Sequence, residues 1–330
     1  MTIPEPVLEA ARARSAARAA KDWATADRLR GEIEAAGWMV VDRGTDFRLH
    51  RARPPDVEAG GVVRYGHSDS VPSRLVEPAT GPATLVSVVV GDLAADAASL
   101  EASLIAALRL APPGVDAVVV ADGLANDALS TVRDFSAALN EAGRDLEVVP
   151  TSAPLGQAAA LNAAIRRCRG EIVVVIDPSI APESDVVAPL ADALADPSVA
   201  IAGPFGLVTA DQRRFEEVGA TDVALDAAAI QGYLMAFRRT DAAARGPLDE
   251  HFRFYRNLDI WWSLVLRDEG PGAAARRALV VPGIAVRRGV PTAWSATPEA
   301  ERDRRSKRNF YRVLDRFRTR LDLVVEPPSG

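Results

Sequence analysis

Strand-like and helix-like segments alternate strictly between residues 84 and 176, and this alternation limits the chain to few folds. The strand-like runs are TLVSVVV, VDAVVVA, DLEVV and EIVVVI, and the helical segments between them lie near 99–110, 127–142 and 155–169. Strands that alternate with helices of this length build right-handed βαβ units around a parallel sheet. The sequence therefore predicts an α/β fold with a mostly parallel sheet flanked by helices.

The second half of the chain has a more mixed pattern. We expect a helix near 183–195, strands at VAIAG and IQGYLMAF, and a helix that begins near Leu258. A final, strongly basic helix covers 299–320. Its apolar stripe consists of Phe310, Leu314, Phe317 and Leu321. We interpret it as a helix docked on the domain with a solvated basic face, and peripheral contact with an anionic membrane is the alternative.

Changes in composition divide the chain into four parts. Residues 1–52 predict a small helical module with a short β element, and residues 53–82, rich in proline, glycine and serine, predict a linker or a strap on the surface. Residues 83–298 hold the α/β domain, and residues 299–330 hold the basic C-terminal helix and tail.

Charge and cysteine content exclude several classes of protein. The net charge of −6 gives no overall attraction to nucleic acid or anionic lipid. One cysteine excludes an internal disulfide framework, and with three histidines it disfavours a structural zinc site. The N-terminus lacks a signal-peptide pattern, and no apolar window is long enough to span a membrane. We expect a cytoplasmic protein, and the inner face of the membrane is the alternative location.

An aspartate ends the most apolar of the strand-like runs. Val173 to Ile176 are apolar on both faces, as in a buried parallel strand, and Asp177 and Pro178 follow directly. Open α/β sheets bind ligands at the carboxyl ends of their strands. Asp177 therefore either contacts a metal ion or phosphate, or caps the turn at Pro178.

The order of these segments resembles the family 2 nucleotide-sugar glycosyltransferases over about residues 84–309. The most specific matching stretches are SAPLGQAAALNAAIRRCRGEIVVVIDPS, QGYLMAFRR and LDEHFRFYRNLDIWWSLVLRDEG. The resemblance implies the glycosyltransferase A-type nucleotide-diphosphosugar transferase fold. It also implies an inverting, metal-assisted transfer of a sugar from a nucleoside-diphosphate sugar to a glycan or lipid-linked acceptor.

The resemblance also implies a set of donor-binding residues. Asp122 and Gly123 match a family position that contacts the nucleotide, and Gly156 and Asn162 match the turn and helix that follow. Asp177 matches the first aspartate of the family's D-x-D motif, which holds Mn²⁺ or Mg²⁺ against the donor diphosphate. These five residues are the expected donor site, with Asp177 as its metal ligand.

Two acidic motifs of the family are weakened in this chain. Ser179 replaces the second acid of D-x-D, and Asn257 replaces an acid of the E-D-x-D motif. An amide cannot act as a general base, so Asp259 is the expected base, with capping of the following helix as its alternative role. These departures keep a second reading open, in which the protein binds or scaffolds without catalysis.

Further departures lie at the edges of the expected site. The family's first-strand motif reads Gly91-Asp92-Leu93-Ala94 here, and Arg287 and Arg288 occupy the place of a late histidine. These arginines either contact the diphosphate or are surface charges. Trp261 and Trp262 follow Asp259, and we expect one of them to line an acceptor groove and at least one of them to pack in the core.

The N-terminal module resembles the C-terminal end of cysteinyl-tRNA synthetases. The matching residues are Lys21, Asp22, Ala26, Asp27 and Arg30. The synthetase's zinc-binding cysteines and nucleotide-binding motif are absent from the sequence, which excludes aminoacylation. Docking or oligomerisation is the favoured role of the module, and RNA binding is disfavoured because a solvated helix face explains its arginines.

Overall fold

The structure is a computed structural model, and it describes residues 3–44, 46–90, 99–218, 221–270 and 272–326. The chain divides into two compact units, Met1–Pro55 and Asp56–Gly330.

The first unit packs two helices against a β-hairpin. Its elements are α1 (Glu5–Ala19), α2 (Trp23–Ala35), β1 (Trp38–Arg43) and β2 (Asp46–Arg51), with β1 and β2 antiparallel. The Asp22 carboxylate caps α2 by accepting the Thr25 N–H at 3.1 Å. A small core contains Val7, Ala11, Ile33, Trp38 and Val40. The predicted helical module with a β element is therefore confirmed.

The second unit is built on an eight-stranded sheet, with small additional sheets at its edges. Its strands are β3 (Val57–Ala59), β4 (Val62–Arg64), β5 (Gly81–Val90), β6 (Asp116–Asp122), β7 (Leu146–Pro150), β8 (Gly170–Ile176), β9 (Ile180–Pro182), β10 (Val199–Gly203), β11 (Gly206–Val208), β12 (Glu216–Glu217), β13 (Leu225–Ala227), β14 (Ala229–Ile230), β15 (Leu234–Arg238), β16 (Arg277–Val280) and β17 (Val286–Arg288). The large sheet has the order β13-β16-β10-β15-β8-β5-β6-β7.

Four neighbouring strands of this sheet form its parallel half. β7, β6, β5 and β8 are parallel, and β15 then pairs antiparallel with β8. The chain runs outward from β5 to β6 and β7, and then returns to place β8 on the other side of β5. The carboxyl ends of β5 and β8 therefore flank the switch point of the sheet, where open α/β folds bind ligands.

Helices cover both faces of the large sheet. They are α3 (Ala106–Leu110, preceded by a π-helical turn at Glu101–Ile105), α4 (Asn126–Glu141), α5 (Gln157–Arg167), α6 (Val187–Ala195), α7 (Arg239–Arg245), α8 (Leu258–Arg267), α9 (Thr292–Ser295) and α10 (Glu299–Phe317). Val173 and Val175 of β8 enter one core, and Val174 and Ile176 enter the other. Both faces of the strand are buried, as the uninterrupted apolar run predicts. The α/β fold with a mostly parallel, mixed sheet is confirmed.

The segment that follows Asp56 packs on the second unit. The Tyr65 N–H donates to the Pro150 carbonyl at 2.9 Å. Arg239, only 5% exposed, donates to the carbonyls of Arg74 and Glu77 at 2.9 and 2.6 Å. These bonds hold residues 56–82 as a strap against the sheet.

The C-terminal helix α10 docks through Phe317 of its predicted apolar stripe and through Val313, which the predicted stripe did not include. Val313 and Phe317 are fully buried, whereas Leu321, beyond the helix, is 61% exposed. Within the described ranges, no helix is both long and apolar enough to cross a membrane.

Candidate active site

A cavity of about 400 Å³ opens at the carboxyl end of β8, beside the switch point of the sheet. It gathers side chains from the end of β8, the β11–β12 hairpin, the turn before β15, the start of α8 and helix α10. Its polar and aromatic lining residues include Asp177, Arg213, Arg214, Phe215, Glu217, Tyr233, Tyr255, Arg256, Asn257, Asp259 and Phe310.

Asp177 lies at the inner end of this cavity. Its N–H donates to the Tyr233 carbonyl at 2.9 Å, which fixes the residue at the end of β8. Oδ1 of its carboxylate accepts both the N–H and the hydroxyl of Ser179, at 2.8 and 2.5 Å. Burial raises the pKa of Asp177, and the bonds from Ser179 oppose this shift. Asp177 therefore caps its turn and lines the cavity at the same time.

The residues around Asp177 offer little for a metal ion. In the described parts of the chain, no group of three or more His, Cys, Asp or Glu side chains is placed to hold a metal. Ser179 uses its hydroxyl as a donor to Asp177 instead of adding a second carboxylate. A hard cation held here would have one carboxylate from the protein and would need the oxygens of a bound diphosphate as its other ligands.

Asp259 lies in the same cavity, in the first turn of α8. Oδ2 of its carboxylate accepts the Gly232 N–H at 3.0 Å, and Oδ1 accepts the Ile260 N–H at 2.9 Å. Burial raises the pKa of Asp259, while these two bonds and the charge of Arg256 act in the opposite direction. Two backbone donors therefore hold this carboxylate in one orientation.

Asn257 precedes α8 in a left-handed conformation, with φ 65° and ψ 4°. Its side-chain Nδ2 donates to the Ser306 carbonyl of α10 at 2.9 Å. A carboxylate could not donate this bond and would repel the carbonyl oxygen. The departure from the acidic motif at this position therefore has a structural cause, the docking of α10.

Asp122 and Gly156 are joined to each other, and neither lines the cavity. The buried Asp122 carboxylate accepts the N–H groups of Leu155 and Gly156, at 2.7 and 3.1 Å, and the Thr151 hydroxyl at 3.0 Å. Desolvation raises the pKa of Asp122, and these hydrogen bonds act in the opposite direction. Gly156 has φ +93°, and a Cβ there would lie 3.0 Å from the Cα of Arg253. Both residues therefore shape the turn before α5.

Gly123 and Asn162 also have internal roles. A Cβ on Gly123 would lie 2.6 Å from Pro154. Asn162 is 4% exposed, and it exchanges hydrogen bonds with the backbone of Leu248 at 3.0 and 2.8 Å. Both residues are therefore engaged in contacts within the protein, and their expected contact with the donor remains a prediction.

Both tryptophans belong to the core. Trp262 is 1% exposed and packs edge-on against Phe237, whereas Trp261 is 8% exposed and contacts Phe252 and Phe317. Neither lines the cavity beside Asp259. The expected acceptor-groove tryptophan is therefore corrected to a packing role, because the helix α8 is buried on opposite sides by the sheet and α10.

Arg287 and Arg288, the two arginines expected near the diphosphate, lie in different environments. Arg287 is exposed and pairs with Glu183 at 2.6 Å, outside the cavity. Arg288 instead donates to Gln231, at 3.3 Å, and its guanidinium lies 5.0 Å from the ring centre of Tyr233. Gln231 and Tyr233 line the cavity, so Arg288 adjoins it without being one of its lining residues. The Gly91 to Ala94 segment lies outside the described residues.

Sequence reasoning did not single out three arginines that line the cavity. They are Arg213, Arg214 and Arg256. Arg213 and Arg214 belong to the hairpin loop between β11 and β12, which has no strong sequence pattern, and Arg256 stacks over Trp294 at 5.3 Å. A basic pair next to an aromatic residue, RRF, was the available signal.

Family comparison agrees with this architecture. The glycosyl transferase family 2 model matches residues 95–258. The chain contains a glycosyl transferase family 2 domain. Residues 4–47 match the cysteinyl-tRNA ligase anticodon binding domain. The same region is 49% identical over 51 residues to the cysteine–tRNA ligase of Opitutus terrae, covering 16% of this chain and 11% of that protein. Both resemblances expected from the sequence are thus confirmed.

Solved glycosyltransferases share the fold of the second unit. The structure of GalNAc-T7 with UDP, GalNAc and Mn²⁺ aligns with TM-score 0.56 and 13% identity, covering 72% of this chain and 48% of that one. A mannosyltransferase from Pyrobaculum calidifontis, in complex with GDP-Man and Mn²⁺, aligns with TM-score 0.51 and 20% identity, covering 77% and 71%. The family 2 domain therefore has a glycosyltransferase A-like fold, and this chain spans about half the length of GalNAc-T7.

Proposed function

We propose that this protein is a glycosyltransferase that moves a sugar from a nucleoside-diphosphate sugar to an acceptor hydroxyl. The observation that carries the proposal is the meeting of Asp177 and Asp259 in one cavity at the switch point of a family 2 fold. Neighbours with this fold bind UDP with GalNAc, or GDP-Man. The donor diphosphate would lie near Asp177, and the acceptor would approach Asp259.

In this mechanism Asp259 is the general base of an inverting transfer. The acceptor oxygen forms a bond to the anomeric carbon while the bond to the diphosphate breaks, and the nucleoside diphosphate leaves with the electron pair. Asp259 takes the proton of the acceptor hydroxyl. The Gly232 and Ile260 N–H groups orient the carboxylate, and its raised pKa makes it a stronger base than an exposed aspartate.

The pH profile tests this role for Asp259. The base works only when it is ionised, so the rate should fall as pH drops through its pKa. Because burial raises that pKa, the midpoint of the fall should lie above the value of an ordinary aspartate. We expect kcat/KM to fall on the acidic side, and Asp177, whose pKa burial also raises, adds a second ionisation there if its carboxylate holds the cation. A midpoint at or below the ordinary aspartate value would contradict the assignment of Asp259.

A divalent cation would neutralise the leaving diphosphate when it is bound. Asp177 is the residue of this chain that would hold it, through the carboxylate oxygen not engaged by Ser179. With one carboxylate from the protein, we expect Mn²⁺ to bind only together with the donor.

Thermal unfolding tests donor and metal binding together. A panel of uridine, guanosine, thymidine and cytidine diphosphate sugars, each with and without Mn²⁺, should yield one class that raises the midpoint. Mn²⁺ alone should not raise the unfolding midpoint, but it should increase the rise that this donor causes. Asp177→Asn should abolish that increase. Asp134→Asn, an exposed aspartate on α4, is the matched control. No rise with any donor would sink the proposed function.

A non-catalytic binding or scaffold protein is the second candidate. It is favoured by Ser179 and Asn257, whose side chains bond within the protein where the family has acids. In that case a donor would bind without release of nucleoside diphosphate. We propose that the first unit serves docking or oligomerisation under either function, and that the chain works in a reducing, cytoplasmic setting.

A further inference from the structure

The cavity has two chemically different ends. Seven of its lining residues, Asp177 and Gln157 among them, also line a smaller pocket at the ends of β5 and β8. This end faces the switch point of the sheet, and under the proposed function it is the donor end. The opposite end is formed by the β11–β12 hairpin and α10, and it contains Arg213, Arg214 and Phe215. Asp259 lines the same cavity as both groups.

Hydrogen bonds hold the loop of the β11–β12 hairpin, which carries Arg213 and Arg214, in one conformation. The Asp211 carboxylate accepts the N–H groups of Arg213 and Arg214, at 2.8 and 3.2 Å. Gln212 is fully buried in a left-handed conformation, with φ 59°, and donates to the Arg320 carbonyl. The Thr209 N–H donates to the Val325 carbonyl at 2.8 Å. The loop is therefore anchored to the C-terminal segment.

The charges of these arginines are available to a ligand. Arg213 is exposed at the cavity mouth, and among the described residues its guanidinium has no ion-pair partner. Arg214 pairs with Glu216 at 3.0 Å, but its side chain is 83% exposed, and such surface pairs contribute little. The nearby Glu217 carboxylate pairs instead with Arg288, at 3.4 Å. Two arginines side by side suit the oxygens of a phosphate or carboxylate.

An apolar wall adjoins the arginines. Phe215 of the hairpin and Phe310 of α10 meet edge to face, with ring centres 6.3 Å apart, and Leu207 lines the same end. This wall suits an alkyl or aromatic group better than a bare sugar hydroxyl.

We propose that the acceptor has an anionic group, a phosphate or carboxylate, next to an apolar portion, and that Arg213 and Arg214 bind the anion. This inference rests on the proposed function and names the acceptor class of the same site. The apolar portion packs against Phe215 and Phe310, and the acceptor hydroxyl points toward Asp259.

Two probes that differ in charge test the proposal. Octyl phosphate and octyl β-glucoside share an alkyl chain, and calorimetry should give octyl phosphate an affinity about tenfold or more higher. Arg213→Gln and Arg214→Gln should each lower the affinity for octyl phosphate about 10- to 100-fold. Both variants should bind the donor as the wild type does. Arg133→Gln, an exposed arginine on α4, should change neither affinity.

Other probes separate the sources of the anion. Competition by inorganic phosphate supports a small soluble acceptor, whereas Arg213-dependent binding to phosphatidylglycerol vesicles, with none to phosphatidylcholine vesicles, supports a lipid headgroup. Equal affinity for the two octyl compounds overturns the proposal. So does a loss of donor affinity in Arg213→Gln, which would place these arginines on the donor diphosphate. Absence of donor binding in the wild type is a separate result and refutes the proposed function instead.

Discussion

Replacing Asp259 with asparagine should lower turnover by about 10²- to 10⁴-fold, the usual contribution of a general base. The amide keeps an oxygen that can accept the Gly232 N–H, but it cannot take the proton of the acceptor. Donor affinity should remain unchanged, because the lost group acts on the acceptor. Release of nucleoside diphosphate measures turnover, with water as acceptor if no better one is known, and calorimetry measures donor binding.

The folded state should tolerate this substitution. A pKa raised on folding means that the protonated carboxyl fits the folded state better than the ionised one, so removal of the charge relieves a desolvation cost. The amide accepts only one of the two backbone N–H bonds, so we expect a loss of about 1 kcal/mol at most. Asp134→Asn, on the exposed face of α4, should leave turnover and stability unchanged. Turnover within twofold of the wild type in Asp259→Asn would show that another group takes the proton. Donor binding without turnover in the wild type would favour the scaffold function.

Replacing Asn309 of α10 with alanine should destabilise the loop before α8, which forms part of the cavity wall. Asn309 is 3% exposed on α10, and its Nδ2 donates to the carbonyls of Phe254 and Arg256, both at 2.8 Å. Loss of both bonds leaves two carbonyls poorly satisfied, which should lower the free energy of unfolding by about 2–4 kcal/mol. Urea unfolding measures this change.

The same substitution should reduce turnover, because the freed loop holds Arg256, Asn257 and the start of α8. Asp315→Ala, at an exposed position of the same helix, should leave both stability and turnover near the wild type. A loss of stability with full turnover would mean that α10 supports the fold without positioning the site.

Local pattern was sufficient to predict the sheet and its ligand-binding edge. The βαβ alternation and the apolar run before Asp177 are properties of neighbouring residues, so periodicity alone places Asp177 at the end of a buried strand. The family resemblance added Asp259 as the second carboxylate, and the structure brings both into one cavity.

Other site predictions depended on contacts that no local pattern contains. The resemblance predicts Asp122, Gly156 and Asn162 as donor-binding residues, and in the structure their polar groups bond within this protein. A polar group is available to a ligand only if backbone groups from distant parts of the chain do not already bond to it. The burial of Trp261 by Phe252 and Phe317 likewise depends on contacts that no local pattern contains.

By itself, the sequence determined the two-part organisation, the parallel sheet and the position of Asp177 at its edge. The periods of strands and helices are visible in the order of neighbouring residues. Only the tertiary structure decided how the site is completed. The hairpin that presents Arg213 and Arg214 is anchored by residues more than a hundred positions away, and Asn257 meets α10 across 49 positions. Such contacts form only after the chain has packed, so the wall opposite Asp177 is a product of the folded domain.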